Sequence, residues 1–180
     1  MAEKKASNSG GSKLNRTQTV TLRLDPRLRY LTDLAARTQR RTTSGFIEWA
    51  IEMSLKEIIL EPASPDYNHE DVTLADKSFD LWDVDEPDRF ILLAINYPQL
   101  LNHEEQILWK IIKENGFFWK GKYSDGPSRE WVWTVRIESL VPESLREYWQ
   151  LLKSVAEGNE DKNLLPKFST KLDSEEGVDD

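Results

Sequence analysis

The sequence predicts a mainly α protein with two folded units, an N-terminal strand-helix-helix unit and a small α+β, tryptophan-rich C-terminal domain. Three observations support this class. Apolar residues alternate over a short segment near residue 20, two apolar stripes at helical spacing follow, and six of the seven tryptophans lie beyond residue 80. The expected parts are a disordered basic arm over residues 1–15, the first unit over 16–60, a linker over 61–74, the second domain over 75–157 and a disordered acidic tail over 158–180.

The first element is a strand over residues 19–24, Thr-Val-Thr-Leu-Arg-Leu, with an apolar side chain at every second position. A lone strand leaves its backbone groups unpaired, and no matching strand lies nearby in the sequence. The simplest partner is therefore the same strand of a second copy, antiparallel across a two-fold axis. Asp25 and Pro26 end the strand and begin a helix, as its cap and its first residue. The helix presents one apolar stripe, formed by Leu28, Leu31, Leu34, Ala35 and Thr38.

A basic turn, Gln39-Arg40-Arg41, separates this helix from a second one, for which Thr42 or Thr43 is the expected cap. The second helix carries a wide apolar stripe, and Trp49 and Met53 lie beside that stripe, one turn apart. We expect these two side chains to cover a dimer contact or a neighbouring domain rather than to bind a ligand.

The order of strand, Asp-Pro, helix, basic turn and helix over residues 16–58 resembles the ribbon-helix-helix family, to which the Arc and methionine repressors belong. The resemblance rests on Thr-Val-Thr-Leu-Arg-Leu-Asp-Pro and on Thr-Thr-Ser-Gly-Phe-Ile-Glu-Trp-Ala-Ile. It departs at the interhelical turn, where many members have a glycine and this chain has the basic turn. A residue there must either tolerate or avoid a left-handed backbone.

The resemblance implies a homodimer that binds double-stranded DNA with a two-stranded ribbon in the major groove. The outward residues Thr19, Thr21 and Arg23 of each subunit would contact bases, and the Arg23 guanidinium would be the main discriminator. Phosphate contacts are expected around the start of the second helix, from Arg16, Arg40, Arg41, Thr42, Thr43 and Ser44. Dimers of this family often bind side by side, which implies higher-order complexes on DNA. The residues alone also allow an ordinary, partly solvated strand.

Charge is distributed unevenly along the chain, which has a net charge of -8. Residues 1–60 hold 11 Lys and Arg against 6 Asp and Glu, whereas residues 61–180 hold 13 against 26. Local rather than whole-chain charge governs contact with phosphates, so the basic part favours DNA binding. The chain has no cysteine and no apolar stretch of membrane-spanning length, and a cytoplasmic protein without a membrane partner is expected.

In the second domain, Asp85 is the expected cap of one helix, and Asn102 with Glu105 predicts a capping box for the next. Two strands over residues 117–123 and 130–137 and a final helix follow. The tryptophans of this domain are expected to serve its core rather than a binding groove.

No catalytic, cofactor or metal site is expected, since His69 and His103 belong to no acid-base pair or metal set and residues 83–88 lack the pattern of a calcium loop.

The predicted function is a sequence-specific transcriptional regulator, a repressor, whose C-terminal domain serves assembly or binds a protein partner. The alternative is an antitoxin whose acidic half binds a protein toxin. Such a segment usually folds on its partner, whereas this one has enough apolar residues to fold alone. A scaffold without nucleic acid is the third hypothesis.

Overall fold

A computed structural model describes residues 19–63, 70–125 and 130–168. These residues contain six α-helices and two small antiparallel sheets, which confirms the mainly α class. The chain divides into two compact units, the first ending at Ser54 and the second beginning at Leu55. None of the helices in these ranges is long and apolar enough to cross a membrane. The predicted basic arm lies outside the described residues.

The first unit consists of an extended segment over residues 19–25 and two helices, α1 (Pro26–Thr38) and α2 (Thr43–Leu55). Asp25 caps α1 as predicted, because its carboxylate accepts hydrogen bonds from the N–H groups of Arg27 and Leu28, both at 3.0 Å. The extended segment pairs with no other described strand, so the predicted strand is not formed within one subunit. Its pairing with a second copy stays a prediction.

The second unit begins with a short hairpin where the sequence predicts the end of a helix and a linker. Strands β1 (Ile59–Glu61) and β2 (Val72–Thr73) pair antiparallel, and α2 ends at Leu55. The expected linker over residues 61–74 is therefore partly a sheet. Strands this short show no hydrophobic period, which is why the sequence does not reveal them.

Tyr97 anchors this hairpin to the helical core of the second unit. The Tyr97 side chain is 4% exposed and donates a hydrogen bond to the Glu61 carboxylate. Burial raises the pKa of Tyr97 to about 12, and the Glu61 carboxylate acts in the same direction. The phenol therefore stays a neutral hydrogen-bond donor at physiological pH. A short helix, α3 (Ser78–Leu81), follows the hairpin.

Three longer helices build the core of the second unit: α4 (Glu86–Asn96), α5 (His103–Glu114) and α6 (Pro142–Ala156). Their buried side chains form one continuous cluster with the segment after α5. The side chains without exposed surface are Ile91, Ala94, Ile112, Phe118, Leu145 and Leu152. Trp119 and Trp149 belong to the same cluster, at 1% and 4% exposure, which confirms a core role for these two tryptophans. The same prediction is wrong for Trp82, which is 63% exposed and lies outside the cluster.

Two predicted helix starts have different outcomes. Asn102 and Glu105 form the predicted capping box of α5, since each side chain accepts a hydrogen bond from the backbone N–H of the other, at 3.0 Å and 2.9 Å. Asp85 lies at the N-cap position of α4, but its side chain makes no capping hydrogen bond. The Asp85 carboxylate lies 3.5 Å from Arg146 on α6, which also pairs with Asp88. The Asp85 carboxylate, which the local sequence predicts as the helix cap, therefore forms a long-range ion pair with Arg146 instead.

The predicted C-terminal hairpin is present but shorter, with β3 (Gly121–Tyr123) paired antiparallel to β4 (Trp131–Trp133). A Cβ atom on Gly121 would lie 2.5 Å from the backbone oxygen of Val132, a distance that real Cβ contacts do not reach. Only glycine therefore fits this register. The flanking positions that the sequence assigns to strands form short 3-10 turns instead, at Gly116–Phe118 and Ile137–Ser139.

The folded domain extends beyond the predicted boundary at residue 157. A 3-10 turn covers Lys162–Leu164, and Leu165 is 4% exposed in the core. The Phe168 ring stacks on Trp131, with 3.9 Å between the ring centroids and an interplanar angle of 13°. The expectation of a disordered tail from residue 158 is therefore corrected, because Leu165 packs in the core and Phe168 packs on Trp131 of β4. Residues 169–180 lie outside the described ranges.

Candidate nucleic-acid interface

The three predicted base-contacting residues lie together on the extended segment of the first unit. Thr19, Thr21 and Arg23 are all exposed. The intervening apolar residues Val20 and Leu22 are exposed as well, at 75% and 55%. The polar and the apolar positions of this segment are therefore both open in the single chain.

The apolar stripe predicted for α1 is largely uncovered in the single chain. Leu28, Leu31 and Leu34 are 48%, 48% and 37% exposed, whereas Thr32 and Ala36 are buried at 9% and 2%. The interior of a single unit thus uses small side chains of α1. The larger leucines remain exposed and available for a contact outside this unit.

The first unit also has a groove of about 1330 Å³. Val20, Leu22 and Leu24 line it from the extended segment, and Ile47 and Ile51 line it from α2. Charged residues of both signs also line it, namely Arg23, Arg29, Asp33, Glu48 and Glu52. Small-molecule sites are usually between about 300 and 1,000 Å³, so a groove of this size fits a protein segment better than a small ligand.

The basic turn adopts a left-handed backbone at Arg40, whose φ is 54°. The N–H groups of Arg40 and Arg41 donate hydrogen bonds to the carbonyl groups of Arg37 and Ala36, at 3.0 Å and 2.9 Å. This pair of hydrogen bonds is typical of helix ends where glycine supplies the left-handed residue. The chain therefore tolerates the left-handed conformation without the glycine, at a backbone cost of roughly 1 to 2 kcal/mol.

Thr42 caps α2, whereas Thr43 has a different structural role. The Thr42 hydroxyl accepts a hydrogen bond from the Gly45 N–H at 3.0 Å. The Thr43 hydroxyl donates to the Asp33 carboxylate at 2.8 Å and so ties the start of α2 to α1. Ser44 is exposed and lines the groove. A phosphate at this helix start would therefore be bound chiefly by backbone N–H groups of the first turn and by Ser44.

Arg41 lies over the Trp49 ring, with 5.4 Å between the guanidinium carbon and the ring centroid. The Phe46 ring packs on the same indole, with 5.6 Å between centroids. A cation over a tryptophan face is attracted by the ring quadrupole, which favours this position of the arginine by roughly 0.5 to 1 kcal/mol at an exposed site. The contact keeps a predicted phosphate ligand beside the start of α2. Residue spacing alone does not reveal this partner for Trp49.

Acidic side chains gather in the second unit, where oxygen atoms of Asp83, Asp85 and Asp88 lie within 4.8 Å of one another. Arg146 pairs with Asp85 and Asp88, so a guanidinium supplies the positive charge at this cluster. The cluster fastens α6 to the start of α4. His103 is exposed in the first turn of α5, whereas His69 lies outside the described residues.

The predicted contact residues from 19 to 44 thus belong to one small unit, while Arg16 lies outside the described residues. Comparisons with protein-family models, with curated proteins and with solved structures found no match to this chain. Its function is therefore inferred from the geometry of the first unit.

Proposed function

We propose that this chain is a homodimeric, sequence-specific DNA-binding regulator of the repressor type that acts in the cytoplasm. Residues 19–24 of two subunits pair as an antiparallel ribbon, and its polar face carries Thr19, Thr21 and Arg23 into the major groove. The basic turn and the first turn of α2 contact the flanking phosphates.

The observation that carries this proposal is the uncovered apolar surface of the first unit. Val20 and Leu22 are more than half exposed, although burial of apolar surface is the main stabilising force in folding and association. Pairing two copies of residues 19–24 covers these side chains and also satisfies backbone groups that have no partner strand in one subunit. The alternation then leaves the polar face of the ribbon open for DNA.

Electrostatics support the same orientation. The start of α2 carries the positive end of the helix dipole and free backbone N–H groups, which attract an anion. Arg41, held over Trp49, and Arg40 add two positive charges next to this helix start. Such contacts position a protein on DNA and make its affinity depend on salt.

Selection of bound duplexes from random DNA tests the proposal, and a two-fold symmetric or repeated site is expected. Arg23→Ala should then lose about 1 to 3 kcal/mol of discrimination at one base pair per half-site. Arg136→Ala, at an exposed arginine of the second unit, is the matched control and should bind like the wild type. Equal weakening of Arg23→Ala on every duplex would contradict base reading. Binding to no duplex, at any salt concentration, would eliminate DNA recognition itself.

An antitoxin is the second candidate, because the second unit exposes an apolar patch around α3. Phe79, Trp82 and Val84 are 92%, 63% and 57% exposed, and neighbouring apolar side chains of this kind often mark a protein contact. In this alternative the patch binds a toxin while the first unit represses transcription. The buried core of the second unit differs from a segment that folds only on its partner.

Co-expression with the product of a neighbouring gene separates the two candidates. An antitoxin would relieve growth arrest caused by that product, and Phe79→Ser combined with Trp82→Ser would lose the relief while keeping DNA affinity. If the neighbouring product causes no arrest, or if the double variant relieves it fully, the regulator alone is favoured.

A further inference from the structure

A second cavity lies in the second unit, between α4, the start of α5 and the end of α6, with a volume of about 360 Å³. Phe90, Leu108 and Trp149, all less than 9% exposed, line its deeper part. The Phe90 and Trp149 rings lie 5.4 Å apart at an angle of 52°. The volume is within the usual range of small-molecule sites, and the apolar floor matches their usual lining.

The two cations that line this cavity are already engaged by groups of the chain. Lys153 donates a hydrogen bond to the Glu86 carboxylate at 2.9 Å, and this contact is the main cause of a lowered pKa of Glu86. Arg89 donates to the backbone oxygen of Asp83 at 2.8 Å and lies 4.8 Å from the centroid of the Trp82 ring. Neither cation is therefore available as the main partner of an anionic ligand.

Three further carboxylates line the same cavity, at Glu104, Glu105 and Glu157. Glu105 accepts its hydrogen bond from the backbone of Asn102, and Glu157 accepts one from the Asn159 side chain at 2.9 Å. These donors are neutral, and among the described residues none of the three glutamates forms a salt bridge. Four glutamates thus line the cavity against two cations, which gives its lining a net charge of -2 beside an aromatic floor.

We propose that this cavity, the α4–α6 pocket, binds a small organic cation. The apolar body of the ligand lies on Phe90 and Trp149, and its ammonium group lies beside Glu104 and Glu157. The aromatic floor holds the apolar body, and the carboxylates complement the charge of the ammonium group, so the pocket selects a protonated amine over a neutral or anionic analogue. The proposal is independent of DNA binding.

Three probes with the same indole body test the charge preference on the full-length chain: tryptamine, neutral tryptophol and anionic indole-3-propionate. The assigned indole ¹H–¹⁵N resonance of Trp149 reports on the pocket. Tryptamine should shift it saturably and bind at least about fivefold more tightly than tryptophol, with indole-3-propionate the weakest. The proposal is overturned if the resonance does not respond to about 10 mM tryptamine, or if the three probes bind equally.

A matched pair of double variants locates the charge contact. Glu104→Gln with Glu157→Gln should bring the affinity for tryptamine to within about twofold of that for tryptophol, while the affinity for tryptophol is unchanged. Glu143→Gln with Glu147→Gln removes the same charge from exposed positions of α6 that do not line the pocket, and tryptamine affinity should persist. An equal loss in both double variants would show a general charge effect and would refute the site.

Discussion

Replacing Leu22 by alanine tests the paired ribbon most directly. Leu22 is 55% exposed in the single chain and belongs to the apolar face of the extended segment. In the proposed dimer this face is buried against the helices, so the truncation should weaken the dimer. The folded structure of the separate subunit should change little, because much of the side chain has no contact there.

The expected magnitude follows from the exposed fraction. Full burial of a leucine side chain stabilises by about 1.5 to 3 kcal/mol, and roughly half of that remains to be gained on dimerisation of Leu22. Truncation to alanine should therefore cost about 1 kcal/mol per subunit. Two copies of the residue enter each dimer, so the dissociation constant should rise about 30-fold, since 1.4 kcal/mol corresponds to a factor of ten.

Sedimentation equilibrium over a range of protein concentrations measures this constant. Thr21→Ala is the control, because it alters the adjacent residue on the opposite face of the segment and should leave the dimer within about twofold of the wild type. The same control should weaken DNA binding, since Thr21 belongs to the proposed base-reading face. If both variants change dimerisation equally, or if Leu22→Ala leaves it unchanged, the alternating ribbon is refuted.

Three further predictions concern the turn, the core and an ion pair. Arg40→Gly should raise the stability of the first unit by about 1 kcal/mol in urea unfolding at fixed protein concentration, because glycine removes the cost of the left-handed backbone. An equal gain for Arg40→Ala would contradict that cause. Leu145→Ala should destabilise the second unit by about 2 to 5 kcal/mol in the same assay, whereas Leu164→Ala, 57% exposed, should have little effect. Lys153 lowers the pKa of Glu86 below 4.5, so the ionised carboxylate stabilises the folded state fully above pH 4.5. This stabilisation is lost as the pH falls through the lower pKa that Glu86 has in the folded state. Thermal melting should therefore show Glu86→Gln less stable than the wild type near pH 6, and the difference should disappear once the pH is below the folded pKa of Glu86.

Features that depend on neighbouring residues are predictable from the sequence. The caps at Asp25 and Asn102 have the expected hydrogen bonds, because an acceptor side chain and the N–H groups that it binds are two or three residues apart. Asp85 carries the same local signal and does not cap. Arg146, on another helix, competes for its carboxylate, and no local pattern contains that information.

In the candidate interface, too, the local features are predictable from the sequence and the contacts between distant residues are not. The alternation around Arg23 and the polar residues at the start of α2 are evident from residue order, and the structure places them on the exposed segment and the first turn that were expected. No role was predicted for Asp33, and the contact of Trp49 with Arg41 differs from the dimer or domain contact that was predicted for Trp49. Asp33 meets Thr43 ten residues away, and Trp49 meets Arg41 through a turn whose backbone the sequence left undecided.

Sequence information was sufficient for the mainly α class and for the order of the five longer helices, because backbone geometry and hydrophobic period act over a few residues. The short hairpin at Ile59–Glu61, the inclusion of Phe168 in the fold and the aromatic floor of the α4–α6 pocket were decided by tertiary packing. These features depend on contacts between residues far apart in the chain, where burial and pairing outweigh weak local preferences.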